Sequence, residues 1–271
     1  MKRNHRFLWP VLAIACLGLT ALTLAASGKL RGLTDPTYAR RASGKRAAYV
    51  RRGNLSPKLV LHLNALGDRL EKPGRERLNL TGTLSRANDP QTQEVIAVFE
   101  FPERIRLTMQ KGSQTRVINF DGEHAKDVVE PDLIETLVYG TAEHFFSTQM
   151  QGMSTRLLGS RFSLHRGSTA DYNGPYYDVY KVADQVSTTG DDREQVKFYY
   201  FNSDTLLLER VVYEIYRNGY TVKVEERLGD WTMEQGQQVA RRIERFENGE
   251  SVFVFTVRTA GFSAREGSLT P

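Results

Sequence analysis

The chain is poor in the residues that mark chemistry. It has one cysteine, Cys16, in 271 residues, and that cysteine lies inside an apolar run. The body beyond it therefore has no disulfide, although an exported chain would be free to use one. There is no HExxH, no CxxC and no pair of histidines at i,i+4, so no local metal motif is present. His62, His124, His144 and His165 are scattered. Surface or packing roles suit them better than a metal site assembled only by folding. There is no GxSxG elbow, and the glycines fall in turns rather than in a phosphate loop between strand and helix. The stretch FDGEHAKD sets acids near a glycine without EF-hand spacing and fits a hairpin turn. Asp191 and Asp192 read as a solvated loop. Paired carboxylates can hydrolyse glycosides, but an unmarked pair among 32 acidic residues carries no information. These absences argue against an enzyme, and they give no catalytic residue, no metal ligand and no cofactor.

Basic charge is also scarce once the N-terminus is set aside. The formal charge is +5, yet residues 1–52 hold eleven Lys/Arg and one acid, Asp35, leaving the rest at about −5. A basic body wrapping nucleic acid is thereby disfavoured. What the N-terminus does have is an export pattern. Lys2, Arg3, His5 and Arg6 precede an apolar run from Phe7 to Ala26, and small residues follow. Cleavage after Ala26 or Ser27 makes residues 1–27 a signal peptide. At twenty residues the run 7–26 is also long enough to stay as a membrane anchor, with the body exported and retained on the inner membrane. LAIAC has a faint likeness to a lipoprotein box, but apolar residues continue past Cys16 where a lipidated cysteine should begin a polar tether. Residues 28–55 then form a basic linker. Within it the segment 40–52 is either a solvated tether or an arm lying on anionic lipid.

Folding is expected from residue 56 to residue 262, with 263–271 a tail. Ser56 suits an N-cap and Pro57 the first helical position, and Leu59, Leu63, Leu66 and Leu70 make one face apolar. Pro73-Gly74 then stops that helix. Period-2 patterns follow: Leu78, Leu80 and Leu84; Val95, Ala97, Phe99 and Phe101; Ile105, Leu107 and Met109; then TRVINF before Asp121-Gly122. Residues 130–159 break this pattern and read as helical, with Leu133 and Leu137 as one pair and Phe146, Met150, Met153 and Leu157 as a second stripe. Gly140 and Gly152 divide the segment. Strands return from Arg161, with hairpins at Asn218-Gly219 and Asn248-Gly249. Roughly ten hairpin-linked strands make a mainly β protein with some α: one large, curved antiparallel sheet or open barrel, covered by short helices.

The surplus is apolar surface. SVFVFTV is apolar on both faces, with Val252 and Val254 on one and Phe253, Phe255 and Val257 on the other. A strand with one wet face should alternate more cleanly. Phe145, Phe146, Met150 and Met153 combine aromatics with adaptable thioethers. They suit either a lid over an apolar groove or the core between helix and sheet. With Leu157, Phe253 and Phe255 they are the candidate ligand-binding residues.

The order of elements has a likeness. An amphipathic helix, FEFPERIRL, TRVINFDGEHAKDV, inserted helices, FYYFNSDTLLLERVVYE, VKVEERLGDWTMEQGQQVARRIERF and a closing VFVFTVRTAGF follow one another. Across residues 57–262 this resembles the LolA/LolB-like lipoprotein-carrier superfamily and its outer-membrane lipoprotein-sorting relatives. The resemblance implies an open antiparallel β-barrel covered by helices, whose cavity holds the acyl chains of a lipoprotein or of a free lipid without catalysis. One departure stands out. The family pattern has an arginine directly before the proline, where it helps to hold the lid; here that position is Phe101, with Arg104 and Arg106 following. The competing expectation is a membrane-tethered interaction module with a filled core, and a third is a hydrolase whose site is assembled by folding.

Overall fold

A computed structural model describes residues 55–67, 69, 76–100, 104–121, 129–150, 155–163, 174–184 and 195–264. All belong to the unit Tyr49–Pro271. The leader, the basic arm, Phe101, the Asp121-Gly122 turn beyond Asp121, Gly152 and Met153 lie outside the described residues. Among the described residues no helix is long and apolar enough to cross a membrane.

The elements follow from local signals. Helix α1 spans Pro57–Leu66; Ser56 Oγ accepts from the Leu59 N–H at 3.4 Å, and Pro57 stands in the first turn. Leu59, His62, Leu63 and Leu66 form its buried face. The helix ends four residues before Leu70, because Gly67 leaves helical geometry and forms a bridge to Gln237. Four strands follow: β1 (Glu76–Arg86), β2 (Asp89–Glu100), β3 (Arg104–Lys111) and β4 (Gln114–Phe120). The helical segment is α2 (Pro131–Ile134), a π-helical turn (Glu135–Tyr139) and α3 (Ala142–Met150). The chain returns as β5 (Thr155–Ser163), β6 (Tyr176–Asp184), β7 (Gln195–Asn202), β8 (Leu208–Arg217) and β9 (Tyr220–Gly229). It closes with β10 (Thr232–Glu234), β11 (Gln237–Val239), β12 (Arg242–Glu247) and β13 (Glu250–Ala264).

Eleven strands form one antiparallel sheet in the order β4-β3-β2-β1-β13-β12-β9-β8-β7-β6-β5, and β10 and β11 form a separate hairpin. The sheet is open: β4 and β5 are its two edges. The fold class read from the sequence is therefore the one observed, with three more strands than the periodicity suggests. Two of the differences have clear causes. QQVARRIERFE is interrupted at Ala240 into β11 and β12, and Gln235-Gly236 makes a hairpin turn with φ of 49° and 88°. That is the same two-residue geometry as Asn218-Gly219 and Asn248-Gly249, built on a residue pair that does not announce it.

Leu157 corrects the helical reading of residues 155–159. It lies on strand β5, opposite Tyr180, and is 43% exposed. Pairing with β6 overrides the three- and four-residue apolar spacing, which short segments satisfy by chance, and Thr155 and Gly159 are weak helix formers.

The alternating apolar positions define one buried face. Leu78, Leu80 and Leu84, Val95, Ala97 and Phe99, Ile105, Leu107 and Met109, and Phe253, Phe255 and Val257 all belong to a single core with the helices. Val252 and Val254 are half-buried, so the second apolar face of SVFVFTV is only partly covered. At Gly82 the β1–β13 register slips. A Cβ there would stand 2.2 Å from the Thr256 carbonyl oxygen, closer than any side chain tolerates, and the neighbour is backbone. Gly82→Ala should therefore cost about 1–3 kcal/mol in urea unfolding, the usual range for overpacking. Gly229→Ala, which meets nothing within 4 Å, should be close to neutral in the same assay.

Candidate functional site

Cross-strand register places one row of side chains beneath the helices. Phe253 pairs with Arg245, Arg245 with Glu226, Glu226 with Val211, Val211 with Tyr199, Tyr199 with Tyr180 and Tyr180 with Leu157. The row changes character along its length. It is charged in the middle, aromatic toward β6, and open at the β5 edge.

The aromatic part holds two of the residues proposed from the sequence. Phe145 and Phe146 of α3 are fully buried. The Phe145 ring lies 4.8 Å from Tyr199, 5.0 Å from Phe201 and 5.5 Å from Tyr180, and the Phe146 ring lies 5.9 Å from Phe201. Phe253 and Phe255 are also fully buried, on β13. In this structure these four side chains are core. Met150 ends α3, and its side chain, like Met153, lies outside the described residues.

The charged part was not expected. Arg245 of β12 is fully buried and reaches the π-helical turn. Its Nη1 donates to Tyr213 Oη at 3.1 Å, to Thr136 Oγ1 at 3.2 Å and to the Asp132 carbonyl at 3.4 Å. The same atom stands 3.5 Å from Glu135 and 3.6 Å from Glu226, while Nε donates to Glu247 at 3.0 Å. Tyr213 and Thr136 each donate to Glu226 Oε1, at 2.7 and 2.8 Å. Lys197 Nζ is buried over the rings of Tyr213 (4.7 Å) and Tyr139 (5.3 Å). Two cations thus face two buried carboxylates, Glu226 and Glu135. Burial pushes the Glu226 carboxyl up, against the opposing pull of Arg245 and Lys197. For Arg245 burial acts downward, but Tyr213, Glu135, Glu226 and Asp132 outweigh it and raise its pKa. At the rim Arg217 bridges Asp132 of α2 (2.5 Å) and Glu247 of β12 (2.9 Å). Gly140 ends the π turn against this nest; a Cβ there would fall 1.9 Å from Glu226 Oε2.

A second polar contact holds α1. His62 Nδ1 donates to the Leu206 carbonyl at 2.9 Å, and Nε2 stands 3.2 Å from Asp178 Oδ2. Lys58 lies 2.8 Å from the same carboxylate. The geometry at Nε2 is that of an electrostatic contact rather than a hydrogen bond. Burial holds His62 below its ordinary pKa, against the raising effects of the Leu206 carbonyl and Asp178.

Two pockets lie among the described residues. A pocket of about 30 Å³ lies between α3, the π turn and the sheet, with Leu78, Phe99, Leu137, Leu228, Trp231 and Glu143 among its lining residues. A larger, open cleft of about 570 Å³ lies beside the β3–β4 hairpin, but its lining includes Lys111, Arg116 and Glu130 and is mostly polar. Glu143 is unusual: it is 7% exposed, and burial pushes its carboxyl up to about 7. Arg104 and Arg106 point to the exposed face of β3. The arginine that reaches the helical segment comes from β12. Its signal was in the sequence: Lys197, Glu226 and Arg245 each share parity with buried residues of their own strands.

No family model matches this chain, and no curated protein matches it. Solved structures that it is similar to include a LolA superfamily protein from Nitrosomonas europaea, at 8% identity and a TM-score of 0.47, covering 77% of this chain and 92% of that one. A domain described as an outer membrane lipoprotein-sorting protein, from Vibrio parahaemolyticus, has 8% identity and a TM-score of 0.43, covering 73% and 88%. A DUF1329 family protein from Desulfovibrio piger has 11% identity and a TM-score of 0.44, covering 77% and 94%. The first two carry the names of the superfamily that the sequence resembles.

Two measurements test these energetics. Arg245→Met leaves Glu226 and Glu135 buried without their main counter-charge, and should cost about 3–5 kcal/mol in urea unfolding. Arg245→Met combined with Glu226→Gln should recover part of that loss. For Glu143 the folded pKa is raised, so the unfolded chain ionises first. Its contribution is full below pH 4.5, fades up to about pH 7 and is absent above. The stability of wild type minus that of Glu143→Gln should therefore fall by about 3 kcal/mol between pH 4.5 and pH 8. Taking this difference removes the opposite trend that His62 imposes as the pH drops.

Proposed function

We propose that the chain is a non-catalytic protein of the cell envelope that binds an apolar chain under α3, from a lipid or from the acyl chain of a lipidated protein. The observation that carries this reading is a short helix, α3, which shares with His62 of α1 the cover of a basin of aromatics. α3 puts Phe145 and Phe146 among Tyr180, Tyr199 and Phe201, and the apolar pocket opens beside the same helix. Moving α3 outward vacates the volume of two phenyl rings and joins it to the pocket.

The magnitudes allow the exchange. Re-exposing two phenylalanines costs about 3–6 kcal/mol, and each methylene buried returns about 0.8 kcal/mol. About eight methylenes offset the loss, so the chains of ordinary membrane lipids have a surplus while short ones do not. The expected site is thus Phe145, Phe146 and Met150 on the moving side, with Met153 beyond them. Phe253 and Phe255 form the fixed wall, and Leu157 stands at the open edge. Export rests on the leader at residues 1–27, whether cleaved or kept as an anchor at 7–26, and the arm 40–52 is suited to an anionic membrane surface.

A second reading has one observation in its favour. Among the described residues the apolar pocket holds about 30 Å³, room for about one small group, as a filled interaction module would have. Mass spectrometry of the organic extract from the chain, expressed with its own leader and purified without detergent, separates the two. A stoichiometric acyl species is the expected result. An empty extract, together with no uptake of an added sixteen-carbon fluorescent fatty acid, would assign the chain to the second reading.

A further inference from the structure

The small pocket has a chemistry that the binding of a bare apolar chain does not explain. Glu143 lines it, almost wholly buried, with a carboxyl that meets its own backbone N–H and, among the described residues, no cation. Trp231 lines it too. Among the described residues the only other polar lining side chain is Thr141, and no Lys, Arg or His is present there. Elsewhere this body pairs its buried carboxylates: Asp178 with Lys58, Glu100 with Arg77, Glu226 with Arg245. A buried carboxylate without a counter-charge is costly, and a ligand that brings the missing cation relieves that cost. An anionic head would add like charge. An indole ring lining the same pocket attracts a cation further. The volume, about 30 Å³, matches one ammonium-sized group.

We propose that this pocket binds the protonated amine of an alkylammonium amphiphile, with Glu143 as its counter-ion and the Trp231 ring beside it. The inference rests on the reading that the body binds an apolar chain, and it adds the polar end of that chain. The amine can come from a free alkylamine or from the headgroup of an aminolipid; the recognising chemistry is the same.

The chain contains two tryptophans, Trp9 and Trp231, so the full chain carrying Trp9→Phe reports on this pocket alone. In nanodiscs of an uncharged glycolipid at pH 8, octylammonium, octanol and octanoate are titrated against Trp231 emission. Octylammonium should bind at least about tenfold more tightly than octanol, the worth of one charge-assisted hydrogen bond. Glu143→Gln should erase the difference. Its fold is checked by thermal melting, and Glu143→Asp, which withdraws the carboxylate by one methylene, should weaken the preference if Gln does not fold. Competition by dihexanoyl phosphatidylethanolamine would assign the amine to a lipid headgroup, and its failure to compete to a free amine. Equal binding of the three compounds, tighter binding of octanoate, or a preference that survives in Glu143→Gln would overturn the inference while leaving the apolar-chain reading intact. No response to any of the three would overturn the inference, and uptake of the sixteen-carbon fatty acid would then decide the apolar-chain reading on its own.

Discussion

Arg245 is the interaction on which the covered face depends. A greasy helix packed on a greasy sheet has few reasons to sit in one register rather than the next, because hydrophobic contact is non-directional. A buried guanidinium changes that. Its donors are fixed in a plane, and here they are spent on Tyr213 of the sheet and on Thr136 and the Asp132 carbonyl of the helical segment. Shifting the segment by one residue would break those bonds and leave Glu226 and Glu135 without their counter-charge. The cost of taking these charges out of water is large, so the arrangement is better understood as fixing position than as adding net stability.

The π turn and Gly140 follow from that grip. Five residues, Glu135–Tyr139, lie in the wider π geometry, which inserts an extra residue per turn and is associated with functional segments. It lets Glu135 and Thr136 face the nest while Leu137 faces the apolar pocket. Gly140 then passes Glu226 so closely that no side chain fits. The segment is thus clamped on one side of Gly140, and the helix carrying Glu143, Phe145 and Phe146 begins on the other.

Much of the fold was legible because its signals are local. The Ser56 cap, the Asn-Gly turns and the period-2 leucines all act over a few residues and all appear where expected. Leu157 misled because a three- and four-residue spacing was all that its segment offered, and an edge strand took it. The charged nest was missed for a different reason. Lys197, Glu226 and Arg245 lie in strands that mix apolar and charged positions, where charge alone gave them no role. Yet Glu226 shares parity with Val224 and Leu228, and Arg245 with Ile243. Parity alone placed them inside; what could not be read from one strand is that the register sets Glu226 directly opposite Arg245. That is a property of two strands separated by the whole β10–β11 hairpin.

The separation of clamp and pocket matters for how such a body would work. If one set of contacts both fixed the cover and met the ligand, opening would dissolve the register that closing needs. Here the polar nest lies under the π turn, and the pocket with Glu143 lies under the start of α3. On the proposed reading, displacing α3 would cost aromatic packing that an acyl chain would repay, while Arg245 keeps its partners. A cover hinged beside an intact ionic anchor would return to one place. The Glu143 carboxylate fits that division: it stands on α3, where a ligand's charge would bear on the cover itself rather than on the anchor that positions it.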